Sequence, residues 1–116
     1  MESKKGIPST SVPPINDYEI PIAEVFLLNA KKKLGSGAFG EIYYGINRKN
    51  KANVAIKLEP TKAKHPQIYS ESKLYQALQS GVGIPELYWS GTQGNYNILI
   101  IELLEFCLIH VIVNSP

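Results

Sequence analysis

The stretch LGSGAFGEIYYGINRKNKANVAIKLEP, Leu34 to Pro60, decides how the chain is read. Gly35, Gly37 and Gly40 form G-x-G-x-x-G, a pattern shared by several nucleotide-binding folds and also produced by a plain tight hairpin. The residues that follow narrow the choice. A dinucleotide fold places a helix directly after the third glycine, whereas Glu41, Ile42, Tyr43 and Tyr44 belong to a run rich in the β-branched and aromatic residues favoured in strands. A phosphate loop of the G-K-[ST] type is excluded because that tripeptide does not follow. What remains is a flap between two strands, in which glycines let the backbone approach a polyphosphate without side-chain clash.

Further along the same stretch, NVAIKLE alternates strictly between two faces. Val54, Ile56 and Leu58 share one face, and Ala55, Lys57 and Glu59 share the other, so a small residue and a lysine project side by side. Pro66 is placed for the first turn of a helix expected to reach Gln79 or Ser80 before Gly81 and Gly83 stop it. On it, Glu71, Leu74, Tyr75 and Leu78 fall at helical spacing, which puts one carboxylate on an apolar stripe. An unpaired buried carboxylate is costly, so Glu71 either sits at the edge of the packed face or meets a cation there. Upstream, Phe26 to Leu34 reads as a strand; downstream, LYWSGT and YNILIIELL read as two more, joined around Gln93, Gly94 and Asn95. Residues 1–24, with Pro8, Pro13, Pro14 and Pro21 among polar residues, read as a flexible leader. The expected class is α+β.

Bulk properties exclude several alternatives. The 116 residues allow one small domain, and 44% hydrophobic with 19% charged residues is ordinary for a globular chain. A net charge of +2 is too weak to argue for nucleic acid or an anionic membrane surface, so neither is expected as a partner. Cys107 is the single cysteine, which rules out an internal disulfide, and no run approaches the ~20 apolar residues that span a bilayer. The N-terminus lacks the apolar stretch of a signal peptide, and the expected location is intracellular, cytoplasmic or nuclear.

The glycine motif does not stand alone: Lys57 follows Gly40 by 17 positions, and Glu71 follows Lys57 by 14. This linked set resembles the protein kinases, in which a strand lysine holds the α- and β-phosphates and a helix glutamate orients it. KLE, KHPQ, ESKLY and GVGIP make the resemblance narrower: from about Phe26 to Leu104 the chain closely resembles the casein kinase 1 family of serine/threonine kinases. That resemblance implies a kinase amino-terminal lobe over residues 25–104, with a five-stranded antiparallel sheet and one helix. It also implies ATP as ligand and a protein substrate in the full-length family. The glycine flap, Gly35, Ser36, Gly37, Ala38, Phe39 and Gly40, would cover the phosphates held by Lys57, with Glu71 as its partner. Leu34 and Ile42 would sandwich the adenine with Ala55, Ile101 would be the gatekeeper, and Glu102, Leu103 and Leu104 would begin the hinge that hydrogen-bonds the base.

After Leu104 the pattern breaks, since family members resemble one another in continuing with Gly-Pro, whereas this chain reads EFCLIHVIVNSP. Residues 105–116 therefore read as a divergent apolar tail. Nowhere in the 116 residues is there an H-R-D-x-x-x-x-N catalytic loop or a D-F-G triplet. The general base and the ligands of the magnesium that would accompany ATP are missing with them, and the carboxy-terminal lobe is expected to be absent. His110, set in LIHVIV with no aspartate two residues on, receives no catalytic role. The expectation is a catalytically incomplete ATP-binding lobe; the alternative is a non-catalytic ATP- or partner-binding product.

Overall fold

A computed structural model describes residues 17–37, 40–79 and 84–103. Six strands, β1 (Glu19–Ile22), β2 (Phe26–Gly37), β3 (Gly40–Asn47), β4 (Asn53–Pro60), β5 (Leu87–Gln93) and β6 (Tyr96–Glu102), form one antiparallel sheet in the order β1-β2-β3-β4-β6-β5. One helix, α1 (Ile68–Ala77), connects β4 to β5. Among the described residues no helix is long and apolar enough to cross a membrane.

The expected five strands are six because Glu19–Ile22, inside the segment read as leader, pairs with β2. Proline richness argued against a strand there, but β1 is an edge strand, the position in which Pro21 removes no ladder hydrogen bond that the sheet requires. Burial of Ile22 then outweighs the low local propensity.

The β1–β2 turn is closed by a hydrogen bond from Val25 N to Ile22 O at 3.2 Å. Its two central residues, Ala23 and Glu24, have φ of 53° and 63°, both left-handed and neither a glycine. Gln93, at the far edge of the sheet, reaches this turn: Ala23 N donates to its Oε1 at 3.0 Å, and its Nε2 donates to Pro21 O at 2.9 Å. The Phe26 and Tyr88 rings stack with centroids 6.4 Å apart. The sheet is therefore curled until its two edge strands touch.

Inside the curl lie Ile22, Phe26, Leu28, Val54, Ile56, Ile98 and Ile100. On the opposite face Ile42, Ala55, Leu99 and Ile101 pack with Ile68 and Tyr75 of α1. β4 is central and covered on both sides, which is why Val54, Ala55, Ile56 and Lys57 are all buried in succession.

α1 is shorter than the sequence suggests. Gln67 is its N-cap and Pro66 precedes the cap instead of entering the first turn. At the other end Leu78 N bonds to Leu74 O and Tyr75 O, and the Gln79 side chain donates to Tyr75 O at 2.8 Å, so helix carbonyls are satisfied without a further turn. The buried stripe is Ile68, Glu71, Ser72 and Tyr75, while Leu74 and Leu78 are 57% and 41% exposed. The expected stripe of Glu71, Leu74, Tyr75 and Leu78 is thus half right. A single helix laid on a sheet buries one narrow line of residues, and here that line runs through Glu71 and turns both leucines away.

Candidate functional site

β4 carries Ala55, Lys57 and Glu59 on the face that α1 covers, and each meets a different partner. Ala55 is opposite Tyr44 of β3 and Ile101 of β6, and Lys57 is opposite Ile42 and Leu99. Two strand steps from Ala55, Lys57 projects its amine toward the helix. Lys57 Nζ lies 2.9 Å from Glu71 Oε1 and 3.0 Å from Oε2. The residues are 5% and 9% exposed, so this is a buried ion pair, held by hydrogen bonds to both carboxylate oxygens. Of the two sequence alternatives for Glu71, the cation is the one realised. Two of the three ammonium donors are directed at the carboxylate; the third is the one an anionic ligand could take.

Beside the pair, Leu34, Ile42, Ala55 and Ile101 come together in one apolar cluster, joined by Ile84, Leu87 and Leu103 at its margin. Gly35 pairs with Ile42, Ser36 with Glu41, and Gly37 with Gly40, so the glycine motif is the distal end of the β2–β3 hairpin. Ala38, Phe39 and Leu104 lie outside the described residues. Gly40 has φ of +138°, and a Cβ there would collide with the Leu58 carbonyl oxygen of β4. The sheet itself therefore demands this glycine, whatever ligand the hairpin covers.

Of the expected hinge residues, Glu102 is half-buried and tied to the segment before β5: its N donates to Glu86 O at 2.8 Å and its Oε1 accepts from Glu86 N at 3.1 Å. Among the described residues no group of three or more His, Cys, Asp or Glu side chains could hold a metal ion. A buried ammonium beside an apolar cluster can meet a ligand that is apolar at one end and anionic at the other.

On the hairpin's other face, Lys33 Nζ and Tyr43 OH both donate to Glu41, at 3.0 and 2.7 Å. The Tyr43 hydroxyl, then Lys33, hold the Glu41 carboxyl below its ordinary range, and the same hydrogen bond pushes the Tyr43 phenol up.

Glu59 is the residue that sequence reasoning left without a role. It is 1% exposed. Its Oε1 accepts from Gln67 N at 2.6 Å and Ile68 N at 3.2 Å, and its Oε2 accepts from Asn97 Nδ2 at 3.0 Å. Two signals for it were available: its placement on the Lys57 face, and the absence of a Ser, Thr, Asp or Asn immediately before Ile68 to cap the helix.

A curled antiparallel sheet with one helix across a face, a strand lysine paired internally with a helix carboxylate, and a glycine-rich hairpin alongside are the arrangement of a protein-kinase amino-terminal lobe. The family model described as protein tyrosine and serine/threonine kinase matches residues 28–115, and the chain belongs to that family. The match runs on through the stretch read as a divergent tail.

Proposed function

We propose that residues 25–104 are the ATP-binding lobe of a serine/threonine protein kinase of the casein kinase 1 type, and that the 116-residue chain is catalytically incomplete by itself. The observation that carries this reading is the buried Lys57–Glu71 pair at 2.9 Å, set against the cluster of Leu34, Ile42, Ala55 and Ile101. The apolar cluster would take the adenine, Lys57 would bind the α- and β-phosphates, and Glu71 would hold the ammonium in place. Bound ATP supplies the γ-phosphoryl group, which a lower lobe bearing a general base would direct to a protein hydroxyl. The narrower assignment rests on KLE, KHPQ, ESKLY and GVGIP in the sequence.

Titration of the chain with ATP, followed by amide shifts, is expected to perturb Leu34, Ile42, Ala55, Lys57 and Ile101, with the perturbation lost in Lys57→Met. Shifts confined to exposed lysines would overturn the assignment of the site. No phosphotransfer by the 116-residue chain is expected, and measurable transfer abolished by Lys57→Met would overturn its incompleteness. A chimaera joining residues 25–104 to the lower lobe of a casein kinase 1 enzyme is expected to be active on serine or threonine peptides. A folded, nucleotide-binding chimaera without activity would count against the casein kinase 1 type.

A non-catalytic ATP- or partner-binding role is the alternative, supported by the exposed Leu74 and Leu78 on α1.

A further inference from the structure

α1 is held to the sheet by few contacts. Its buried residues are Ile68, Glu71, Ser72 and Tyr75, of which only Ile68 and Tyr75 are apolar. The Ser72 hydroxyl is turned back on its own helix, donating to Tyr69 O at 2.8 Å. Two apolar side chains do little by themselves to fix a ten-residue helix on a smooth sheet face, because dispersion and burial have little directionality; its far end is tied through Gln79 to Pro85 O and Leu87 N, which leaves the position of its first turns to be set.

The remaining contacts between α1 and β4 are polar and directional, and there are two among the described residues. Lys57 meets Glu71, and Glu59 meets the backbone N–H groups of Gln67 and Ile68. On the strand the two side chains are two residues apart, about 6.6 Å along β4. On the helix Gln67 and Glu71 are four residues apart, about 6 Å at 1.5 Å per residue. The two spacings match, so both contacts can be made at once, and two separated contacts fix translation and rotation together where one would leave a pivot.

The chemistry at Glu59 suits that task. The first N–H groups of a helix lack internal partners, and α1 has no side-chain cap of its own. A carboxylate placed there meets two backbone donors and the positive end of the helix dipole, which offsets part of the cost of burying its charge. Its second oxygen is held by Asn97, whose Oδ1 accepts in turn from Thr92 Oγ1 at 3.0 Å. The anchor is thus itself fixed by β5 and β6, independently of the helix.

We infer that Glu59 is a positioning residue: by capping α1 from β4, it sets where the helix lies and so holds Glu71 against Lys57. This inference goes beyond nucleotide binding and does not depend on it, since its readout is the ion pair itself.

Two isosteric variants test it in the full chain. Glu59→Gln keeps an acceptor oxygen; Glu59→Met keeps the volume in a buried site but accepts nothing. The readouts are amide exchange at Gln67 and Ile68, the Lys57 ammonium signal in nitrogen-detected NMR, and, as a control for the sheet, amide exchange at Ile56 and Ile100. In the unsubstituted protein Gln67 and Ile68 are expected to exchange at least tenfold more slowly than unprotected amides; free exchange there would overturn the anchor. Glu59→Met is expected to lose that protection and the ammonium signal while Ile56 and Ile100 stay protected. Glu59→Gln is expected to retain most of both. An ammonium signal equally strong in Glu59→Met, or equally lost in both variants with the sheet intact, would overturn the positioning role.

Discussion

For the buried pair of Lys57 and Glu71, losing one member and replacing both are energetically very different. Removing one partner of a buried pair costs about 3–5 kcal/mol, whereas replacing both with apolar groups of similar volume is close to neutral. Glu71→Leu and Lys57→Met are therefore each expected to lower stability in urea unfolding by about that amount, while the double substitution recovers most of it. Simple additivity of the two losses would show that the pair is not coupled. Glu41 offers a second measurement at this scale. A carboxyl held below its ordinary value adds stability above that value and loses it as pH falls through its own lowered midpoint. The Glu41 carboxyl carbon should thus titrate below a reference glutamate, and Tyr43→Phe should raise its midpoint, since the phenol is the largest cause of the shift. For Tyr43 the sign is opposite: its raised value favours the folded state at neutral pH, an advantage lost only as alkaline pH passes through that raised value. An unchanged Glu41 midpoint in Tyr43→Phe would count against the hydrogen bond at 2.7 Å.

Elements here are shaped by their neighbours more than by their own propensities. The β1–β2 turn places Ala23 and Glu24 at left-handed φ, a conformation that costs an L-residue roughly 1–2 kcal/mol and that glycine adopts freely. Glu24→Gly is expected to stabilise the chain by up to about 1 kcal/mol, after the greater entropy of glycine in the unfolded chain is subtracted; thermal unfolding checks the sign. β3 shows the reverse case. Gly45 is buried between β2 and β4, and a Cβ there would come 2.6 Å from both Leu27 O and Ile56 Cδ1. Gly45→Ala should cost about 1–3 kcal/mol by overpacking, measured by chemical denaturation. α1 likewise owes its bounds to tertiary partners: Glu59 at its start, and at its end Gln79, whose side chain bonds to Tyr75 O and Pro85 O.

At the scale of the whole molecule the curl of the sheet matters most, since it brings β1 against β5 and encloses one of the two apolar clusters. Gln93 spans that closure with two hydrogen bonds, each worth about 0.5–1.5 kcal/mol net. Gln93→Ala is expected to destabilise by about 1–2 kcal/mol and to accelerate amide exchange at Ala23 selectively; uniform acceleration across the sheet would show that the contact is not local. Much of this architecture was legible beforehand. The alternation of NVAIKLE put Ala55, Lys57 and Glu59 on one face, and the resemblance to the protein kinases implied the pairing of Lys57 with Glu71. Periodicity and the glycine pattern are local signals, set by side chains that alternate along a strand or recur along a helix, so they survive in the sequence. β1, the rotation of α1 that exposes Leu74, and the cap supplied by Glu59 were decided only by the fold. Each depends on groups distant in sequence: Val54, Ile56, Ile98 and Ile100, which cluster with Ile22 of β1 inside the curl; Lys57 beneath the helix; and orphan amides that a strand carboxylate reaches across space. The sequence alone determined the protein-kinase pattern and its central ion pair; where the helix rests, and what holds it there, came from tertiary contacts that no local pattern encodes.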